Sequence, residues 1–174
     1  MGVCCTAPQT AVHGEPHSSV TDSLSIDERP GSMRNAASAG SNIVASIRKE
    51  IQVRRTREVV WDAVRDVGAI HKRLVPGFVV DCRLEGDSRY LTFGNGMTIR
   101  EIIVDVDDRN YRHAWSARGA PFIHHNASIQ VFAENDASCR LVWIADLLPN
   151  DVAGAVAEMI QQGLNTMKAT LEAR

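Results

Sequence analysis

The feature that most constrains the fold is a change of hydrophobic period along the chain. From Phe78 to Leu148, apolar and polar residues alternate in six segments, and from Val152 to Leu171 apolar residues recur every three or four positions. A period of two is typical of strands with one buried face, and a period of about 3.6 is typical of an amphipathic helix. Short connections between consecutive strands favour an antiparallel meander. This pattern therefore predicts a six-stranded meander followed by one long helix.

Turn-forming residues separate the predicted strands. Glycine, asparagine, aspartate and proline cluster between the alternating segments, where their backbone preferences favour tight turns. We expect the six strands at Phe78–Leu84, Arg89–Phe93, Met97–Val106, Tyr111–Arg118, Ile123–Glu134 and Arg140–Leu148.

A further strand and two short helices precede the meander. The segment Ser46–Arg55 alternates in the same way. Thr56 can cap a helix whose apolar stripe extends to Val67 and which Gly68 ends, and a second short helix covers His71–Leu74. The last helix is the only element long enough to cover the apolar face of a seven-stranded sheet. We therefore predict an α+β helix-grip fold, in which a curved antiparallel sheet wraps around a long C-terminal helix and leaves a cavity.

The first 44 residues differ in composition from the rest. They are rich in Ser, Ala, Gly, Pro and Thr and contain no aromatic residue, so they cannot bury enough apolar surface to become ordered. We predict a disordered tail over residues 1–44 and a ligand-binding domain over residues 45–174. The segment Met1–Thr6, with Cys4 and Cys5, fits an N-myristoylation pattern with adjacent palmitoylation sites, which would matter only in a eukaryotic source.

Composition excludes several function classes. Nineteen basic and 21 acidic residues give a net charge of −2, without the basic stripe that nucleic-acid binding requires. No apolar run approaches the ~18–20 residues of a membrane span. Residues 1–44 contain no charged start followed by an apolar stretch, so we expect no secretory signal. The four cysteines lack paired metal or redox spacing. We expect a cytoplasmic protein with free thiols, no metal and no cofactor.

A hairpin around Gly94-Asn95-Gly96 carries the most informative local pattern. A three-residue loop with a positive φ at Gly96 separates apolar from polar side chains, whereas a two-residue loop would mix them. The cross-strand pairs predicted by this register are Phe93 with Met97, Leu91 with Ile99, and Arg89 with Glu101. Met97, like Ile103, is then expected on the inward face. Arg89 and Glu101 face each other among apolar side chains, where each charge stabilises the other.

At this point the sequence resembles the SRPBCC superfamily, especially its polyketide cyclase/dehydrase-like branch. The resemblance covers residues 46–173, and its carriers are Val60-Trp61-Asp62-Ala63-Val64-Arg65-Asp66, His71-Lys72, Val75-Pro76-Gly77, Glu85-Gly86, Ser88-Arg89-Tyr90, Arg100-Glu101-Ile102-Ile103, Asp107-Asp108 and the C-terminal helix. Members include abscisic acid receptors, lachrymatory factor synthase and bacterial aromatase/cyclases. The resemblance implies the helix-grip fold, but it does not choose an activity, because this fold serves binders, carriers and enzymes.

Two interpretations of Arg89 and Glu101 stay open. The pair could fix strand register as a buried ion pair, or it could form a polar anchor at the end of a pocket. The resemblance favours the anchor, since the matching arginine and glutamate of lachrymatory factor synthase look catalytic and a matching glutamate in abscisic acid receptors helps to hold the ligand. In the second interpretation Arg89 binds a ligand carboxylate or enolate and Glu101 transfers a proton.

The remaining candidate ligand-binding residues come from alternation and helical spacing. Leu91 and Ile99 flank the charged pair. Trp115 and His113 point inward because strand alternation places them on the face opposite Arg112 and Arg118, which belong in solvent. Alternation also places His125 inside, although the resemblance to plant receptors favours Asn126 and Ser128, and the choice of face stays open. On the last helix Ile160, Leu164 and Met167 face the sheet, either as cavity lining or as plain core. His124 and His125 point to opposite faces and do not form a chelate.

Three functions are consistent with this pattern. The first is binding of a small hydrophobic molecule in an internal cavity, for which a volume of ~300–1,000 Å³ is typical. The second is a cyclase, dehydratase or lyase that uses Glu101 as acid/base and Arg89 as oxyanion partner. The third is a non-catalytic interaction domain whose cavity is filled by bulky inward-facing side chains, which include Phe93, Trp115, Trp143 and Phe122. The sequence leaves a homodimer open and names no ligand.

Overall fold

The computed structural model describes residues 44–173. Its strands are β1 (Ala45–Val53), β2 (Val79–Glu85), β3 (Ser88–Phe93), β4 (Thr98–Asp107), β5 (Arg112–Arg118), β6 (His124–Asn135) and β7 (Ser138–Leu148). Its helices are α1 (Arg57–Val64), α2 (Ile70–Arg73) and α3 (Ala153–Glu172), the last preceded by a 3₁₀ turn at Asn150–Val152. The predicted disorder and acylation of the tail fall on residues outside the described range, apart from Val44.

The seven strands form one antiparallel sheet in the order β1-β7-β6-β5-β4-β3-β2. Strands β2 to β6 each pair with the next strand along the chain, and β1 pairs with β7 at the other end of the sheet. This sheet, with two short helices after the first strand and one long helix at the end, confirms the predicted helix-grip fold.

One face of the sheet and one stripe of α3 form the core. Along β7 the alternate residues Leu141, Ala145 and Leu147 are fully buried, as a period of two requires. Along α3 the buried stripe contains Val156, Ile160, Gly163, Leu164, Met167 and Leu171. Helix α3 packs on β1 and β7, and the apolar side chains between helix and sheet form one continuous cluster.

The first helix begins where the sequence predicts and ends earlier. The Thr56 hydroxyl accepts a hydrogen bond from the Val59 amide and caps α1. The helix ends at Val64 rather than near Gly68. The Val67 amide then donates to the Arg65 carbonyl, and the chain leaves the helix in a tight turn that exposes the Val67 carbonyl to the sheet.

The predicted inward direction of one residue is wrong. Met97, expected on the apolar face, is 42% exposed. It directly follows Gly96, which has a φ of +84°, and its carbonyl accepts the Phe93 amide at 2.8 Å. Met97 therefore closes the turn, and β4 begins only at the next residue. Ile103, another predicted inward residue on this strand, is half-buried beside a bulge between Ile103 and Asp105.

Candidate functional site

Arg89 on β3 and Glu101 on β4 are directly opposed in the sheet. The register pairs Leu91 with Ile99 and Arg89 with Glu101, which confirms the three-residue loop predicted for the hairpin. The Nε and Nη2 atoms of Arg89 both lie 2.7 Å from Glu101 Oε2. Arg89 is 4% exposed and Glu101 is 7% exposed. The two residues therefore form a buried, charge-assisted ion pair.

Further contacts fix the guanidinium of Arg89. Its Nη1 donates to the Val67 carbonyl at 3.3 Å, the group that the turn after α1 leaves without a helical partner. Its central carbon lies 5.5 Å from the ring centroid of Trp115, within the range of a cation–π interaction. These contacts use three of the five N–H groups of arginine. Arg89 therefore keeps donor capacity beyond the ion pair.

The ion pair forms part of the wall of an enclosed cavity between the sheet and α3. The cavity has a volume of about 60 Å³. Most of its lining is apolar and includes Val64, Leu74, Phe78, Leu91, Ile129 and Met159. This volume is well below the ~300–1,000 Å³ predicted from the sequence. The bulky side chains Phe93, Trp115 and Trp143, which also line it, account for the difference.

A larger groove lies beside the cavity at one end of α3. It has a volume of about 470 Å³ and runs between the Gly94–Gly96 turn and the first half of the helix. Phe78, Phe93 and Met159 line both the groove and the cavity, and the two phenyl rings meet edge to face at 5.4 Å. These three side chains separate the cavity from the groove.

His113 places a neutral imidazole in the cavity wall. Its Nδ1 lies 2.9 Å from the Asp105 carbonyl, which can only accept, so Nδ1 carries the proton. Burial, and secondarily the charge of Arg89, lowers the pKa of His113 from 6.5 to about 4. The ring stacks on Trp115 at 4.9 Å. Its Nε2 is buried and has no hydrogen-bond partner among residues 44–173.

The structure brings six of the ten predicted site residues together. The residues that line the cavity are Arg89, Glu101, Leu91, His113, Trp115 and Met167. The remaining four lie outside the lining. Ile99 is half-buried opposite Leu91, and Ile160 and Leu164 are fully buried core residues of α3.

His125, the fourth, has a structural hydrogen bond. Its Nδ1 accepts the Ala117 amide at 3.0 Å, its ring packs on Phe122 at 4.8 Å, and burial lowers its pKa. His125, Ala127 and Ile129 are buried, whereas Asn126 is exposed. The inward face of β6 is therefore the one that strand alternation predicts.

Sequence reasoning missed several lining residues. Trp143 was predicted as a bulky inward-facing side chain that fills space, but not as a site residue. Phe78 and Met159 were not predicted at the site. Alternation along β7 places Trp143 on the same face as Leu141, which was a usable signal. Phe78 was predicted to begin a strand, but it lies in the turn before β2, so strand alternation did not indicate its direction.

Residues 44–173 contain no group of three or more His, Cys, Asp and Glu side chains placed to hold a metal ion. No helix in this range combines the length and apolar character needed to cross a membrane.

Comparisons with known proteins agree with this architecture. Residues 44–172 match the family described as "Polyketide cyclase / dehydrase and lipid transport". No curated protein gives a significant match. Among solved structures, an uncharacterised protein from Bacillus thuringiensis is similar with a TM-score of 0.66 and 19% identity, covering 73% of this chain and 98% of its own.

Two further solved structures share the fold. A START superfamily protein from Mycobacterium smegmatis has a TM-score of 0.57 and 13% identity, covering 74% of this chain and 95% of its own. A norcoclaurine synthase point mutant from Thalictrum flavum, in complex with a transition-state analogue, has a TM-score of 0.59 and 18% identity, covering 75% and 93%. At these identities the likeness concerns the fold alone.

Proposed function

The chain belongs to the polyketide cyclase, dehydrase and lipid transport family, and from this premise we propose that it binds one small, mostly apolar molecule in the cavity beneath α3. The observation that carries the proposal is the buried Arg89–Glu101 pair in the wall of a cavity whose lining is mostly apolar. An apolar enclosure gives affinity, and a few placed polar groups give orientation.

The contacts of Arg89 suit it to a ligand oxygen. Two of its N–H groups are directed to Glu101 and one to Val67, and the remaining N–H groups belong to a side chain that lines the cavity. A carboxylate, enolate or carbonyl oxygen of the ligand can accept from them. Because the guanidinium is already fixed, little side-chain entropy is lost when the ligand binds.

The groove supplies a route into the cavity. Phe78, Phe93 and Met159 are the side chains between the two spaces, and a rotation of these side chains would join them. Methionine is unbranched and changes rotamer at low cost. The enclosed volume of about 60 Å³ admits only a very small molecule, so a larger ligand requires this opening.

A second candidate function is catalysis at Glu101. Both contacts from Arg89 end on Oε2, so Oε1 takes part in neither and can face a ligand proton. In this version Glu101 removes or returns a proton while Arg89 stabilises the developing oxyanion. The norcoclaurine synthase with the same fold is an example of an enzyme on this scaffold.

A pair of variants separates binding from structure. We expect Glu101→Gln to keep the domain folded, to lower the free energy of unfolding by about 3 kcal/mol because Arg89 loses its counter-charge, and to strengthen octanoate binding because the ligand carboxylate then supplies that counter-charge. The measurement is titration calorimetry with 2-naphthol and octanoate, together with urea denaturation of each variant.

The matched control is the double variant Arg89→Met/Glu101→Leu, which replaces the ion pair by apolar groups of similar volume. Its stability should stay within about 1 kcal/mol of the parent, while octanoate binding is lost. Unchanged octanoate affinity in both variants would assign the pair to strand register alone. Turnover of an enolisable substrate by the parent, abolished in Glu101→Gln, would identify the catalytic version, and no binding of any probe would identify a filled interaction domain.

A further inference from the structure

Two polar atoms of the cavity wall have no partner in the described part of the chain. Besides His113 Nε2, the indole Nε1 of Trp143 is buried without a hydrogen bond, and both residues line the cavity. Buried polar groups are nearly always hydrogen-bonded, so two unpaired ones in a single cavity need an explanation. Their chemistry is complementary, since an indole N–H donates and the Nε2 of an Nδ1-protonated imidazole accepts.

The sheet places these two residues in one row. His113 pairs with Ile129 across β5 and β6, and Ile129 pairs with Trp143 across β6 and β7. The three side chains therefore project from the same face of adjacent strands, and all three line the cavity. Two strand spacings separate the outer pair, about 9–10 Å between Cα atoms. One ligand of aromatic size can reach both.

Surrounding contacts fix the direction of each group. The Asp105 carbonyl accepts a hydrogen bond from His113 Nδ1. The ring of Trp115 contacts both other rings, stacked on His113 and edge-on to Trp143 at 5.3 Å. On Trp143, Cζ3 is the atom nearest to a Cβ built on Gly163, at 3.2 Å. Since Cζ3 is opposite Nε1 across the indole, the N–H points away from that contact with α3.

We propose that His113 and Trp143 form a second polar subsite of the cavity, which binds a hydroxyaryl carbonyl compound. The ligand hydroxyl donates to His113 Nε2, and the ligand carbonyl accepts from Trp143 Nε1. The inference rests on the proposed binding function and adds the chemical class of the ligand. Because burial keeps His113 neutral near pH 7, its lone pair is available to a phenol.

Four aromatic probes of similar size test the subsite. They are 4-hydroxyacetophenone, acetophenone, 4-ethylphenol and ethylbenzene, and the measurement is the dissociation constant by titration calorimetry. We expect 4-hydroxyacetophenone to bind the parent protein about tenfold more tightly than acetophenone or 4-ethylphenol, which is the effect of about one hydrogen bond. Ethylbenzene should bind weakest.

Two variants assign each hydrogen bond. His113→Asn keeps a donor for the Asp105 carbonyl and removes Nε2, so it should abolish the preference for 4-hydroxyacetophenone over acetophenone. Trp143→Phe removes the N–H and should abolish the preference over 4-ethylphenol. Trp61→Phe is the control, because the Trp61 N–H is bonded to Asp108 outside the cavity lining, and it should change neither ratio.

The outcomes distinguish failure of the subsite proposal from failure of the proposed binding function. Equal affinity of the parent for all four probes overturns the subsite and leaves the proposed binding function standing. A variant that weakens all four probes by the same factor shows a structural role and also overturns it. Failure of every probe to bind the parent overturns both the subsite and the proposed function.

Discussion

At the scale of single residues, the orientation of the polar side chains in the cavity wall depends on nearby backbone carbonyl groups that accept their hydrogen bonds. Arg89 is fixed by the Val67 carbonyl as well as by Glu101. His113 is fixed by the Asp105 carbonyl, which lies next to the bulge in β4. The Arg89–Glu101 opposition could be predicted from alternation around the hairpin. The anchoring carbonyls could not, because helix ends and bulges do not follow a hydrophobic period.

His113 gives the domain a defined pH dependence. Burial lowers the pKa of His113 to about 4 and also lowers that of His125. The unfolded chain therefore takes up these protons at higher pH than the folded domain. The free energy of unfolding should be greatest above pH 6.5 and fall as the pH drops towards 4. For His113 alone we expect a loss of about 2 kcal/mol between pH 7.5 and 5, measured by urea denaturation.

The control for this prediction uses two asparagine variants. His113→Asn should remove most of the decrease between pH 7.5 and 5, whereas His124→Asn, at an exposed position, should retain it. A parent protein whose stability is constant over this range would contradict the assignment of a buried neutral imidazole at His113.

At the scale of elements, the β3–β4 hairpin and the turn before β2 position the side chains that separate cavity and groove. The Gly94 amide donates to the Phe78 carbonyl at 3.0 Å, and a Cβ built on Gly94 would lie 2.5 Å from the Gly77 carbonyl oxygen. The two backbone segments therefore touch where only glycine fits. Alternation predicted the hairpin register, but this contact between segments distant in sequence has no local pattern.

Replacement of Gly94 should separate these segments. We expect Gly94→Ala to lower the free energy of unfolding by about 1–3 kcal/mol, because a backbone atom must move. Gly154→Ala in the first turn of α3 is the matched control. A Cβ there meets nothing within 4 Å, so alanine should raise stability by up to about 1 kcal/mol. Denaturant midpoints of both variants check the prediction, and equal effects would refute it.

At the scale of the whole molecule, the order of elements determined the architecture but not the size of the cavity. One strand, two short helices, six strands and a long helix allow few arrangements other than a sheet wrapped around the last helix. The enclosed volume depends instead on the rotamers of bulky lining side chains, above all Phe93, Trp115 and Trp143, and hydrophobic periodicity carries no information about rotamers. The predicted volume was too large for this reason.

The central claim is that a small apolar molecule enters the cavity rather than resting in the groove. Three methionines distinguish a molecule in the cavity from a molecule in the groove. Met167 lines only the cavity, Met97 lines only the groove, and Met159 lines both. NMR of protein labelled with ¹³C at the methionine methyl groups therefore distinguishes the two positions in one titration.

Titration with 2-naphthol is the most direct test. The account predicts saturable shifts of the Met167 and Met159 methyl signals at one molecule per chain, with the Met97 signal unchanged. Shifts confined to Met97 and Met159 would place the molecule in the groove, and no shift at Met167 at saturating ligand would contradict the claim.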